Sequence, residues 1–262
     1  MATMTSRRGA TAWIIGGTAL AVLSISWGTF NAVGALAFDR QHFTRTLHGS
    51  VLDISVKNDA GRVHIIAGNR ADGNVVVVGK GVRGLTKPEH HESLRDGHLV
   101  ITSKCPLSLS SICSMNLTVS VPDGAPITLR ASGGSAIIDG ATAAVDADSS
   151  GGGVRVNGAR GVLHLTSSGG GVTARGVDSS KVDASSSGGG VKLVFTTPPT
   201  DVHVSSSGGG VTIELPNTGD AYRVDVGSSG GSANNQVNTS NTSRRVIDAH
   251  SSGGAVTVRY RP

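Results

Sequence analysis

The chain has 262 residues, with glycine (38) and serine (33) making up 71 positions, about 27%. Five of its eight aromatic residues fall within the first 43 positions, leaving Phe195, Tyr222 and Tyr260 for the rest, so a thick core built on large rings is excluded. Disorder is excluded in turn by the abundance of Val, Ile and Leu and a mean hydropathy of +0.02, which leave a thin, regular aliphatic core punctuated by Gly/Ser corners. The net charge of +5 is dispersed, and no basic stripe with interleaved aromatics appears, which excludes a nucleic-acid partner.

Residues 1–10 carry Arg7 and Arg8 and are expected in the cytoplasm. From Thr11 to Ala37 there is no charged side chain; these 27 positions exceed the roughly 20 needed to cross a bilayer core, and they predict one transmembrane α-helix over 11–38. Everything after Asp39 is then extracytoplasmic. A cleaved signal peptide ending at Ala35-Leu36-Ala37 is the alternative, although signal cores are shorter. Ser24, Gly28 and Ala32 form a small-residue face on this helix. Residues 39–50 read as a linker.

Over 51–130 the alternation of Ile54/Val56, Val63/Ile65, Val75/Val77, Leu99/Ile101 and Leu117/Val119 predicts irregular strand rungs forming an N-terminal cap. Glu89-His90-His91-Glu92, between Pro88 and Asp96-Gly97, reads as a solvated loop. Cys105 and Cys113 are flanked on both sides by alternating strands and predict a disulfide at the mouth of a hairpin, in keeping with an oxidising compartment. No further Cys or His pair completes a metal site.

Over 131–262 a Ser-Gly-Gly corner recurs at Ser132, Ser150, Ser168, Ser187, Ser207, Ser229 and Ser252. The steps are 18 to 23 residues. Counted from each serine, positions −5, −3, +4 and +6 are aliphatic in 27 of 28 cases, Asn235 being the exception. The residues between them, such as His164, Asp183, His203, Arg155 and Lys192, point outward. Two strands per repeat, joined by two short corners, predict an all-β fold: a parallel β-helix or β-solenoid of 18–23-residue rungs. Glycine at the Ser-Gly-Gly-Gly corner is expected to supply positive φ and to let stacked backbones approach. A single rung cannot form alone. Its four inward aliphatics are worth roughly 1.5–3 kcal/mol each, whereas ordering each residue costs about 1–2 kcal/mol. Stability is therefore collective.

The membrane segment, the Asn58-Asp59-Ala60-Gly61 corner, the Cys105-Pro106…Cys113 step leading into 120–134 (SVPDGAPITLRASGG), and the serial SSGG strands together resemble the bacterial putative-adhesin family of membrane-anchored β-strand-repeat domains. The resemblance spans roughly Val51 to Tyr260. It implies a β-helical surface domain and carries over no catalytic residues. Where that family has a Gly-Asp step at the corner, this chain has Gly-Gly-Gly, so no ion-binding role for the corner is carried over.

The expected function is a non-enzymatic, membrane-anchored adhesion or envelope-interaction domain with a cell-envelope glycan or protein as ligand, and with no cofactor or metal. One alternative is a sensor ectodomain that works with a membrane partner through the helix. A carbohydrate-active enzyme is the other, for which Asp183, His203 and Asp225, expected about 4.8 Å apart on successive rungs, form the best stripe.

Overall fold

In the computed structural model, residues 39–68, 73–83, 87–106 and 113–261 are described. The expected membrane segment at 11–38 lies outside them, and among the described residues no helix is long and apolar enough to cross a membrane. The described chain is all β. Its first part supplies β1 (Asp39–Leu47), β2 (Asp53–Asn58), β3 (Val63–Ala67), β4 (Val75–Arg83), β5 (Glu89–Arg95), β6 (His98–Lys104) and β7 (Ser114–Val121). The repeats supply strands in pairs, beginning with β8 (Ile127–Ala131) and β9 (Ala136–Asp139), β10 (Val145–Ser149) and β11 (Val154–Asn157), then β12 (Leu163–Ser167) and β13 (Val172–Val177). They continue with β14 (Lys181–Ser186) and β15 (Val191–Phe195), β16 (Asp201–Ser206) and β17 (Val211–Leu215), β18 (Arg223–Ser228) and β19 (Ala233–Asn235), and β20 (Val246–Ser251) and β21 (Val256–Tyr260).

The two strands of each pair lie in different sheets. An 11-stranded sheet runs β1-β4-β7-β3-β9-β11-β13-β15-β17-β21-β19, and a 10-stranded sheet runs β18-β20-β16-β14-β12-β10-β8-β2-β6-β5. All pairings among the repeat strands are parallel, and the aliphatic columns of the sequence are their ladder partners: Val145 lies between Ile127 and Leu163, and Val154 between Ala136 and Val172. These side chains fill one buried cluster between the sheets. Antiparallel strands occur only at the N-terminal end, where β1 pairs β4, β4 pairs β7, and β5 pairs β6.

Rung order departs from chain order at both ends. At the start, β2 and β3 adjoin β8 and β9, while the later β6 and β7 lie outside them. At the finish, β20 and β21 stack on β16 and β17, while the earlier β18 and β19 are outermost. The C-terminal interchange follows from side-chain chemistry. Asn235 occupies an inward slot and is exposed on the end strand, as are Ala233 and Asn234. The fully aliphatic rung with Ile247, Ala249, Val256 and Val258, each 0% exposed, takes the interior place instead.

From the second Ser-Gly-Gly corner onward there is a second rule, carried by the serine just before each corner serine; the first corner has Ala131 there. Ser149, Ser167, Ser186, Ser206 and Ser251 are buried. Ser167 Oγ donates to the carbonyl of Gly152 on the neighbouring rung (2.8 Å) and accepts the N–H of Gly170 on its own (3.2 Å). The same pair of bonds recurs at Ser149, Ser186 and Ser206. It follows the interchange too: Ser251 donates to Gly209 (2.7 Å) and Ser228 to Gly254 (2.7 Å).

The glycines serve close approach here. A Cβ at Gly152 would lie 2.7 Å from the Gly134 carbonyl of the rung below. The positive φ expected at this corner is absent from Gly151, Gly152 and Gly153, and appears at the opposite corner, as at Gly158 (φ 67°). That opposite corner also corrects the expectation of a core without rings. Where short rungs bury Ala141 and Ala159, longer ones bury Val177, Phe195, Leu215 and Tyr222, so added residues widen one edge of the core enough for aromatic side chains.

Three further expectations are revised. Residues 39–50 were expected as a linker, yet 39–47 form the edge strand β1. Val75 and Val77 sit on β4, an antiparallel strand. Glu89 to Glu92 lie on β5, hairpinned to β6 through Asp96 (φ 51°) and Gly97 (φ 82°), the two positive-φ positions that a two-residue hairpin turn demands. His90 from β5 stacks on Phe43 from β1 (centroids 4.0 Å apart, planes 6° apart), bridging the edges of the two sheets.

Candidate functional site

The parallel register places every outward residue in a column, with rungs about 4.8 Å apart. On the 10-stranded sheet one column runs Thr128, Asp146, His164, Asp183, His203, Asp248, Asp225. Asp183 and His203 are neighbours as expected. Asp225 is not, because the interchange puts Asp248 between it and His203. The expected catalytic stripe is therefore broken, and Asp183 and His203 lie in a ladder of polar contacts between carboxylates, imidazoles and a lysine. His164 Nδ1 lies 3.4 Å from Asp183 Oδ2, His203 Nε2 2.9 Å from Asp201 Oδ1, and His250 Nε2 2.9 Å from Asp248 Oδ1. Lys181 Nζ reaches Asp201 at 3.0 Å.

Its hydrogen bond holds the Asp201 carboxyl below its ordinary value, against the opposing cost of burial. Arg130 makes a two-pronged contact with Asp146 (2.9 and 2.5 Å), which lowers the Asp146 carboxyl and raises the guanidinium. These groups are near 40–60% exposed for the most part, so each pair contributes about 0–1 kcal/mol. The arrangement suits a recognition face of fixed, hydrated charges. Among the described residues no group of three His, Cys, Asp or Glu side chains converges to hold a metal.

The outer face of the 11-stranded sheet differs. Glu214 is buried between Lys192 Nζ (3.2 Å) and Arg259 Nη2 (2.6 Å), and the Arg259 hydrogen bond, seconded by Lys192, holds its carboxyl below the ordinary range. Nearer the start, His64 Nε2 and Asn157 Nδ2 share Asp139 at 2.6 and 2.7 Å. Between the glycine corner and this face lies a groove of about 430 Å³, lined by Arg62, Ser135, Ile137, Gly153, Arg155 and Thr173, among others. No single repeat predicts it. Arg62 belongs to the irregular first rung, and only the pairing of β3 with β9 sets it beside Ser135.

The long second corners form a third surface, which Arg245 clamps. Its Nε meets Asp220 (3.1 Å), and its Nη1 donates to the carbonyls of Pro198 and Pro199 (2.9 Å each), joining all three inserted loops. Beneath them the Tyr222 hydroxyl is buried without a partner among the described residues, and burial pushes it up to about 12.

Cys105 and Cys113 are disulfide-bonded (Cα–Cα 5.8 Å). The bond does not close a hairpin mouth as expected. β6 and β7 belong to opposite sheets, so it closes the connection that crosses from one sheet to the other.

No protein-family model and no curated protein matches the chain. Among solved structures it is similar to a putative adhesin from Bacteroides fragilis at 13% identity, over 84% of this chain and 97% of that one, with a TM-score of 0.48. It is similar also to a putative adhesin from Parabacteroides merdae (9% identity, 83% and 96% covered, TM-score 0.42). A putative cell adhesion protein from Clostridium sporogenes matches at 13% identity (85% and 100% covered, TM-score 0.37).

Proposed function

We propose that this chain is a non-enzymatic, membrane-anchored β-solenoid, held outside the cytoplasmic membrane, that binds cell-envelope or cell-surface ligands along its outer faces. The observation that carries this reading is the parallel register of the repeat strands in both sheets, shifted only at the end of β13 among the described residues, which lays polar side chains in columns over seven consecutive rungs. Such a surface offers many weak, regularly spaced contacts to an extended partner, and its two faces and one looped edge differ in chemistry. The uncharged stretch from Thr11 to Ala37, preceded by Arg7 and Arg8, supports an anchor with the N-terminus in the cytoplasm. The disulfide supports an oxidising location for the domain. Removing residues 51–262 while keeping the anchor is expected to abolish adherence of cells that display the chain. Unchanged adherence overturns the reading.

A further inference from the structure

Several cations of the regular rungs pair with acids on neighbouring strands: Arg130 with Asp146, Lys181 with Asp201, and Lys192 and Arg259 with Glu214. The groove on the 11-stranded sheet holds two arginines that do not. Arg155 lies between Ile137 and Thr173 in its column, both neutral, and forms no ion pair with any described residue. Among the described residues the Arg62 side chain meets only the Ser135 hydroxyl, Nε to Oγ at 3.4 Å. Both arginines are exposed, and no carboxylate lines the groove. The nearest acid in the ladder, Asp139, is occupied by His64 and Asn157.

We propose that this groove is a binding site for an acidic glycan, with Arg62 and Arg155 each taking a sugar carboxylate. The chemistry fits that class on three counts. A guanidinium presents a planar fork of donors that matches a carboxylate. Ser135 and Thr173 place hydroxyls between and beside the two arginines, suited to sugar hydroxyls, and Ile137 supplies the apolar patch on which a sugar ring rests. The strands next to Arg62 and Arg155, β3 and β11, have β9 between them, so the two cations stand two rungs apart, roughly 10 Å along the stack. That separation selects an extended chain bearing repeated acids over a single small anion. The proposal rests on the binding role given above and names the ligand class for one face.

The test is calorimetric titration of the full-length chain in detergent with tetragalacturonate, with its fully methyl-esterified form, and with inorganic phosphate. Tetragalacturonate is expected to bind, and the ester and phosphate to bind at least about 10-fold more weakly. R62Q and R155Q should each weaken tetragalacturonate binding several-fold and the double variant by about 10-fold or more. R175Q, an exposed arginine outside the groove, should stay within twofold, and all variants should keep the parent Tm. The groove assignment is overturned if the ester or phosphate binds as tightly as tetragalacturonate, if the double variant binds normally, or if R175Q loses as much as R155Q. Adherence measured on the same variants separates the two readings. Adherence of the parent chain with no tetragalacturonate binding to it overturns the groove alone, whereas adherence that survives removal of 51–262 overturns the binding role itself.

Discussion

Ser167→Ala probes the corner rule at its smallest unit. The hydroxyl removed is 1% exposed; it donates to Gly152 at 2.8 Å and accepts from Gly170 at 3.2 Å. Without it the Gly152 carbonyl keeps only the longer bond from the Gly170 N–H (3.2 Å), at a corner where both glycines are half-buried. Leaving such backbone groups under-satisfied costs about 1–3 kcal/mol. For a chain of this size that is a fall in Tm of roughly 2–12 °C. Ser168, the next residue, is exposed at the corner, and its side chain forms no hydrogen bond with any described residue. Ser168→Ala should therefore stay within about 0.5 kcal/mol. The two variants share a substitution and a corner, so thermal melts by circular dichroism compare them directly. Ser149→Ala combined with Ser167→Ala should be non-additive, because both hydroxyls bond to Gly152. Equal losses at 167 and 168, or no loss at 167, would refute the corner rule.

Reducing the Cys105–Cys113 bond, or replacing both cysteines with serine, should lower stability by roughly 2–3 kcal/mol, read as a drop in Tm on adding reductant. Acid should destabilise the fold in a defined direction. Asp146, Asp201 and Glu214 all have carboxyls held below their ordinary values of 3.8, 3.8 and 4.5, so the stability they confer is full above those values and is lost as pH falls through the depressed ones. Glu214→Gln should flatten the acid side of a Tm-against-pH curve more than Asp146→Asn, because Glu214 is buried between two cations whereas Asp146 is 41% exposed and pairs with one. A steeper acid limb in Glu214→Gln would contradict that assignment.

The aliphatic columns were readable from the sequence because burial between two sheets imposes the same four inward slots on every rung. The order of the rungs was not. Every repeat offers nearly the same aliphatic partners, so Val211 could pair equally well with Ala233 or Val256. The signal that decides it was present in Asn235, a polar residue in an inward slot that is tolerable only on the last strand. Cys105 and Cys113 were legible as a pair by spacing, but alternation in their flanks does not say to which sheet each flank belongs. His90 and Glu92 looked like loop because β5 carries a single apolar residue, Leu94, with no alternation to mark a strand. They form an edge strand, whose half-buried face holds a stacked imidazole and a carboxylate. The buried serine column lay in plain view as the first serine of each SSGG. Its role appears only once neighbouring rungs bring a glycine carbonyl within reach. The Arg62–Arg155 groove joins an irregular rung to a regular one, a contact that no period in the sequence encodes.

The account stands on a rung stack whose order sets which side chains share a face. Engineered cross-strand disulfides test that order directly, since adjacent parallel strands bring paired Cα atoms within bonding range. With Cys105 and Cys113 retained, Ser205→Cys with His250→Cys joins register partners on β16 and β20, whereas Ser205→Cys with Gly227→Cys joins strands separated by β20. Mild oxidation followed by peptide mapping should find the 205–250 bond in high yield and little or no 205–227 bond. Efficient 205–227 bonding with no 205–250 bond would restore chain order and contradict the account.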